Sequence, residues 1–169
     1  MVYPLDDHRV VKVTDDWRDA HTAELARRAQ AEGKCPNLMR VERVWALPKY
    51  NVYGERLYCY VAKRLQPLPE CIYNYGVPTQ PRSFRLTTWN LPEIVDYFAN
   101  GGKSEHKLTP WGCAAMNILG IVEDLRSIGV TAMTDYKASN VMIRPGDRVV
   151  LSDFGCSQSP HKPEIEEGC

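Results

Sequence analysis

The chain has 169 residues, 44% hydrophobic and 25% charged, with 21 basic and 21 acidic side chains that cancel. This is the composition of one soluble globular domain, with room for two lobes. A balanced charge excludes a global field for nucleic acid or an anionic membrane. No apolar run approaches the roughly 20 residues that span a bilayer. The amino-terminal residues lack the basic start and apolar middle of a signal peptide, so a cytoplasmic protein is expected.

Arg9-Val-Val-Lys-Val13 reads as a short β-strand with one lysine inside it. A lone lysine in a strand is usually solvated, and that reading stands beside any functional one. Asp15-Asp16 then opens a helix predicted from Trp17 to Glu32, rich in alanine and ended by Gly33. Glu24 lies in its middle, with Arg27 and Arg28 at helical spacing for surface ion pairs. Leu38–Leu47 alternates as a strand, Pro48–Glu55 is a loop, and Leu57–Lys63 is a second strand.

From Pro67 to Pro92 the chain has many prolines and no clear period. A helix is predicted over Leu91–Ala99. Thr109-Pro110 starts a longer one, with Trp111, Ala115, Ile118, Leu119, Val122 and Leu125 on one face and Gly129 as the stop. Val141–Ile143 and Arg148–Leu151 form a predicted hairpin around Pro145-Gly-Asp147. After Gly155 the composition predicts an exposed, flexible tail over 156–169. The six cysteines have no zinc or Cys-x-x-Cys spacing and read as reduced thiols, with Cys59 buried in a strand and Cys113 in a helix.

The chemistry concentrates in Asp135-Tyr-Lys-Ala-Ser-Asn140 and Asp153-Phe-Gly155, which flank the hairpin. Asp-x-Lys-x-x-Asn alone occurs by chance about once in fifty such chains. Finding Asp-Phe-Gly one hairpin downstream lowers the coincidence to the order of one in a hundred thousand. Phosphoryl transfer is mainly positioning and charge neutralisation, which these residue types supply. Asp135 suits acceptance of a hydroxyl proton. Lys137 would sit near a transferred phosphate, or is simply solvated. Asn140 and Asp153 are hard oxygen ligands of the kind Mg²⁺ takes together with phosphates. Phe154 is expected to pack inward and Gly155 to allow a sharp turn.

The motif pair resembles the catalytic and metal-binding loops of serine/threonine protein kinases. The compact order of elements is most similar to the early kinases of T-odd lytic phages. The resemblance implies an α+β fold of two reduced lobes: a small antiparallel sheet lobe with one helix over residues 1–65, and an abbreviated helical lobe over 66–155. It implies ATP and Mg²⁺ as cofactors, Lys12 on the α- and β-phosphates, and Glu24 as its helix partner. The adenine would meet the backbone near Ala62 and Lys63, though two core strands without a ligand also fit those residues. The implied role is phosphorylation of host proteins, including transcription and RNA-processing machinery, in the host cytoplasm, without direct nucleic-acid or membrane binding.

The sequence departs from the kinase pattern in three places. No Gly-rich loop precedes Lys12, Met133-Thr134 stands before the catalytic aspartate in place of His-Arg, and no Ala-Pro-Glu anchor follows Asp-Phe-Gly. Taken by itself the chain would be a minimal, truncated or relic kinase. A homodimer or host complex that completes the site is compatible with it. A kinase-fold binding protein without catalysis is the alternative. A small-molecule phosphotransferase ranks last, because that class places histidine where Lys137 stands.

Overall fold

The computed structural model describes residues 1–67, 120–130, 132–133, 140–144, 148–155, 157–159 and 163–168. It is α+β. Four strands form an antiparallel sheet in the order β1 (Val2–Pro4), β2 (Arg9–Thr14), β4 (Arg56–Lys63), β3 (Val41–Tyr50). Helix α1 (Trp17–Ala31) packs on this sheet, and residues 120–127 form a second helix, α2. No helix among the described residues is long and apolar enough to cross a membrane.

The predicted β2, α1 and β4 appear within a residue or two of their expected bounds. Asp16 caps α1, its Oδ1 accepting from the Arg18 amide at 2.9 Å. Gly33 follows the helix at φ +76°, the left-handed conformation that glycine adopts without steric cost. α1 has little large apolar surface. It buries Ala20, Ala23, Ala26 and Ala29 against Met39, Val41, Val44 and Tyr60. With alanine as the apolar residue of that face the helix can lie close to the sheet, which matters for the site below.

β3 departs from expectation. It starts three residues later than predicted and runs through Pro48 to Tyr50, with a register irregularity between Ala46 and Tyr50 that accommodates the proline. Leu38 makes a parallel bridge to Leu151. The turn is reduced to residues 51–55, where Asn51 Oδ1 accepts from the Tyr53 and Glu55 amides at 2.9 Å each. Short strand β1 was not anticipated; its Pro4 sits at the sheet edge, where a missing N–H costs no ladder bond.

The predicted hairpin is present as β7 (Val141–Arg144) and β8 (Arg148–Leu151), with Met142 opposite Val150 and Ile143 opposite Val149. Gln66–Pro67, strand β5, extends it on the β7 side. Ala132–Met133 (β6) pairs with Ser157–Gln158 (β9). Of the expected apolar face, α2 shows Leu125 buried and Val122 half-buried; Ile121, which was not assigned to that face, is buried as well, and Gly129 stands at φ +82°. Asp124 of α2 accepts from the Asn37 amide at 2.7 Å, and Cys35 Sγ lies 3.6 Å from the Asp124 carbonyl oxygen. These bonds fasten α2 to the turn between α1 and β3. Cys59 is buried, as expected. The predicted connection over 67–92 beyond Pro67, the helix over 91–99, the first half of the long helix and Cys113 lie outside the described residues.

Where the expected tail is described, at 157–159 and 163–168, it makes backbone hydrogen bonds to strands. Residues 163–168 run along β3: the Ala46 amide donates to the Glu166 carbonyl and the Gly168 amide to the Ala46 carbonyl, both at 2.9 Å. Composition misled because the segment carries only one large apolar residue, Ile165. That one packs against the core, and β3 supplies the hydrogen bonds.

Candidate active site

Lys12 is the centre of the site. β2 carries it in the middle of the sheet, opposite Tyr60 of β4. Its Nζ lies 2.7 Å from Asp19 Oδ2 and 2.7 Å from Asp153 Oδ1. Lys12 and Asp153 are 141 positions apart in the chain.

Asp19, in the first turn of α1, is 1% exposed. Its Oδ1 accepts from the Tyr60 hydroxyl at 3.1 Å and from the Phe154 amide at 3.2 Å. One buried carboxylate thus joins α1, β2, β4 and the Asp-Phe-Gly turn. Phe154 is fully buried, as expected; burying such a ring is worth roughly 1.5–3 kcal/mol. Gly155 permits a close approach rather than a left-handed turn: its amide donates to Asp153 Oδ1 at 3.1 Å, and a Cβ there would stand 3.3 Å from the same oxygen.

Burial pulls the Lys12 ammonium down, but the charges of Asp19 and Asp153 outweigh it and its pKa is raised above 10.5. Burial raises the Asp19 carboxyl against the pull of Lys12. Tyr60 is pushed well above 10.0 by burial and by the two carboxylates, so it remains a proton donor.

The expected partner of Lys12, Glu24, is not its partner. Glu24 faces the other way, with Oε2 2.7 Å from Arg27 Nε and Oε1 2.7 Å from Arg28 Nε. The alternative reading, helical pairing with the two arginines, holds, although Glu24 is buried rather than on the surface. The helix carboxylate on Lys12 is Asp19. A sequence signal for it existed: Asp19, Ala23 and Ala26 share the i, i+4, i+7 face, and a carboxylate on an alanine face that packs against a sheet needs a buried cation. An aspartate reaches Lys12 in place of the expected glutamate, because the alanine face brings the helix close.

Burial raises Glu24, but hydrogen bonds and charge from Arg27 and Arg28 outweigh it and hold the carboxyl below its ordinary 4.5. The unfolded chain therefore binds more protons than the folded one below that value. The stability from Glu24 is present above pH 4.5 and is lost as pH falls through the lowered value. Urea unfolding of Glu24→Gln, followed between about pH 3 and pH 6, should show a shallower acid decline than wild type. Identical slopes would remove Glu24 from the acid response.

Beside Lys12 a cleft of about 290 Å³ opens between the sheet and the β7–β8 hairpin. Val2, Val10, Met39, Ala62, Leu65 and Met142 give it an apolar body. Lys12, Lys63, Arg64, Asn140, Ser152 and Asp153 line it as well and are among its polar groups. That volume is at the lower edge of the roughly 300–1,000 Å³ of small-molecule pockets, which are mostly apolar with few polar groups. Asn140 is buried, and its carbonyl accepts from the Ser152 amide and hydroxyl at 2.8 Å each, which fixes the hairpin's entry to its exit.

Five of the expected site residues therefore meet in one cleft: Lys12, Ala62, Lys63, Asn140 and Asp153. The amides of Lys63 and Arg64 are already taken by the carbonyls of Arg40 and His8. Asp135 and Lys137 lie outside the described residues. One carboxylate and one amide side chain beside a cation fit Mg²⁺, which commonly takes one or two protein oxygens and completes its shell with phosphates and water. Neither a protein-family model nor a curated protein matches the chain.

Proposed function

We propose that the chain is an ATP- and Mg²⁺-dependent protein kinase of reduced form, acting on serine or threonine hydroxyls of host proteins. The observation that carries this reading is the contact of Lys12 with Asp153 across 141 positions, in a cleft that also holds Asn140, Ala62 and Lys63. Those residues were singled out separately from sequence, by motif and element order, and the kinase reading requires that they meet.

In this reading the apolar body of the cleft takes the base. Lys12 holds the phosphates, and Asp19 and Tyr60 keep the ammonium aimed and charged. Asn140 and Asp153 would hold Mg²⁺, whose charge offsets that of the phosphates. Asp135 accepts the substrate hydroxyl's proton, and Lys137 stands at the transferred phosphate; their roles rest on the motif. The part of the Gly-rich loop falls to β1, whose Val2 lines the cleft.

A thermal-shift titration tests nucleotide binding directly. ATP with Mg²⁺ at a hundred times its Kd should stabilise the fold by about 2.7 kcal/mol. Lys12→Met should abolish the shift. Absence of any shift in the wild type at millimolar nucleotide would favour a binding protein without catalysis.

A further inference from the structure

The segment Pro163–Gly168 lies on a surface that matches it in charge and shape. It carries Glu164, Glu166 and Glu167 and no cation. The surface carries Arg27 and Arg28 on α1 and Arg56 on β4. Arg28 Nη2 donates to the Glu164 carbonyl at 2.9 Å, and Arg56 Nη2 lies 2.7 Å from Glu167 Oε1. Glu166 adds its charge near Arg27. Ile165 packs against the core. Between these anchors, Glu166, Glu167 and Gly168 run parallel to β3 at Ala46, with both ladder bonds at 2.9 Å. Gly168 is required for shape, because a Cβ there would run into the Trp45 ring.

The same helix that meets this segment through Arg28 meets the cleft through Asp19. We propose that the outer edge of β3, together with the arginines of α1, is a groove for an extended acidic strand with an apolar anchor. Its occupant is this chain's own Pro163–Gly168, and filling it holds α1 where Asp19 reaches Lys12 and the Phe154 amide. The Arg28 side chain also binds Glu24, so the segment and the helix share one anchor. This inference is independent of the nucleotide reading: it concerns what positions Asp19, whatever the cleft binds.

Hydrogen exchange on the full chain tests it. Gly168→Val should release the segment, with protection of the Ala46 and Gly168-position amides falling about tenfold or more. Protection of the Phe154 amide, whose acceptor is Asp19, should fall with it. A synthetic Pro163–Gly168 peptide added in excess should then restore Phe154 protection in the variant, and the same peptide with serine for Ile165 should not. Ile165→Ser in the full chain gives a second opening should Gly168→Val fail to fold. The proposal is overturned if Ala46 opens while Phe154 stays protected, or if Ala46 keeps its protection in both variants. It is equally overturned if isotope-mixed samples show the segment seated on a second copy. Nucleotide-induced shifts play no part in these readouts, so failure here leaves the kinase reading standing.

Discussion

Asp153→Asn should lower Mg²⁺-dependent transfer of labelled γ-phosphate by about a hundred- to ten-thousand-fold, the usual cost of removing one positioned catalytic group. The substitution keeps the shape of the side chain and removes its charge. The change removes the charge that the kinase reading assigns to Mg²⁺ and that meets Lys12, while Lys12 retains Asp19 at 2.7 Å. The fold should therefore change little in stability, which separates loss of chemistry from loss of structure. Asp135→Asn should give a loss of the same order. Transfer to the protein itself or to a host extract that persists in both variants would sink the site assignment.

Asp19→Ala should have the largest effect on stability, about 3–5 kcal/mol, the range found when one member of a buried ion pair is removed. For a chain of this size that corresponds to roughly 6–20 °C in Tm. The substitution takes away a partner of Lys12 and the acceptor of both the Tyr60 hydroxyl and the Phe154 amide. Those donors sit where water does not replace the lost oxygen, so the cost is that of unsatisfied buried groups rather than of one salt bridge. Glu24→Ala provides the contrast. Its arginines are each more than a third exposed and can turn to solvent, so its effect should be well below that of Asp19→Ala. Calorimetry on the two variants decides between them, and a larger loss at Glu24 would contradict the ordering.

The two aspartates show how far sequence reasoning reaches. Asp153 was legible because Asp-Phe-Gly follows Asp-x-Lys-x-x-Asn at a spacing that only a short hairpin fills, and β7–β8 is that hairpin. Glu24 was expected in the role that Asp19 fills, because it lies in the middle of the helix and the kinase resemblance implies a glutamate there. The choice between them depends on which side of α1 faces β2. The alanines at positions 20, 23, 26 and 29 decide it, and Asp19 lies on their side. Likewise the segment after Gly155 has the composition of a tail, and a partner edge at Ala46, far upstream of Glu167, gives its last described residues their structure.

The sequence by itself determined the local elements: the valine-rich strand bearing Lys12, the capped alanine helix, the strand ending at Lys63, and the hairpin between Asn140 and Asp153. Each rests on periodicity, capping or turn chemistry within a few residues, and those signals are written locally. It also singled out Lys12, Ala62, Lys63, Asn140 and Asp153, five of the residues that line the cleft, from the two motifs and the order of elements. The tertiary structure decided the rest: that Asp19 rather than Glu24 meets Lys12, that β1 edges the cleft, and that Pro163–Gly168 lies on β3. These are pairings between distant parts of the chain. Their energies come from burial and from satisfying buried polar groups, and both exist only once the helix and sheet have packed.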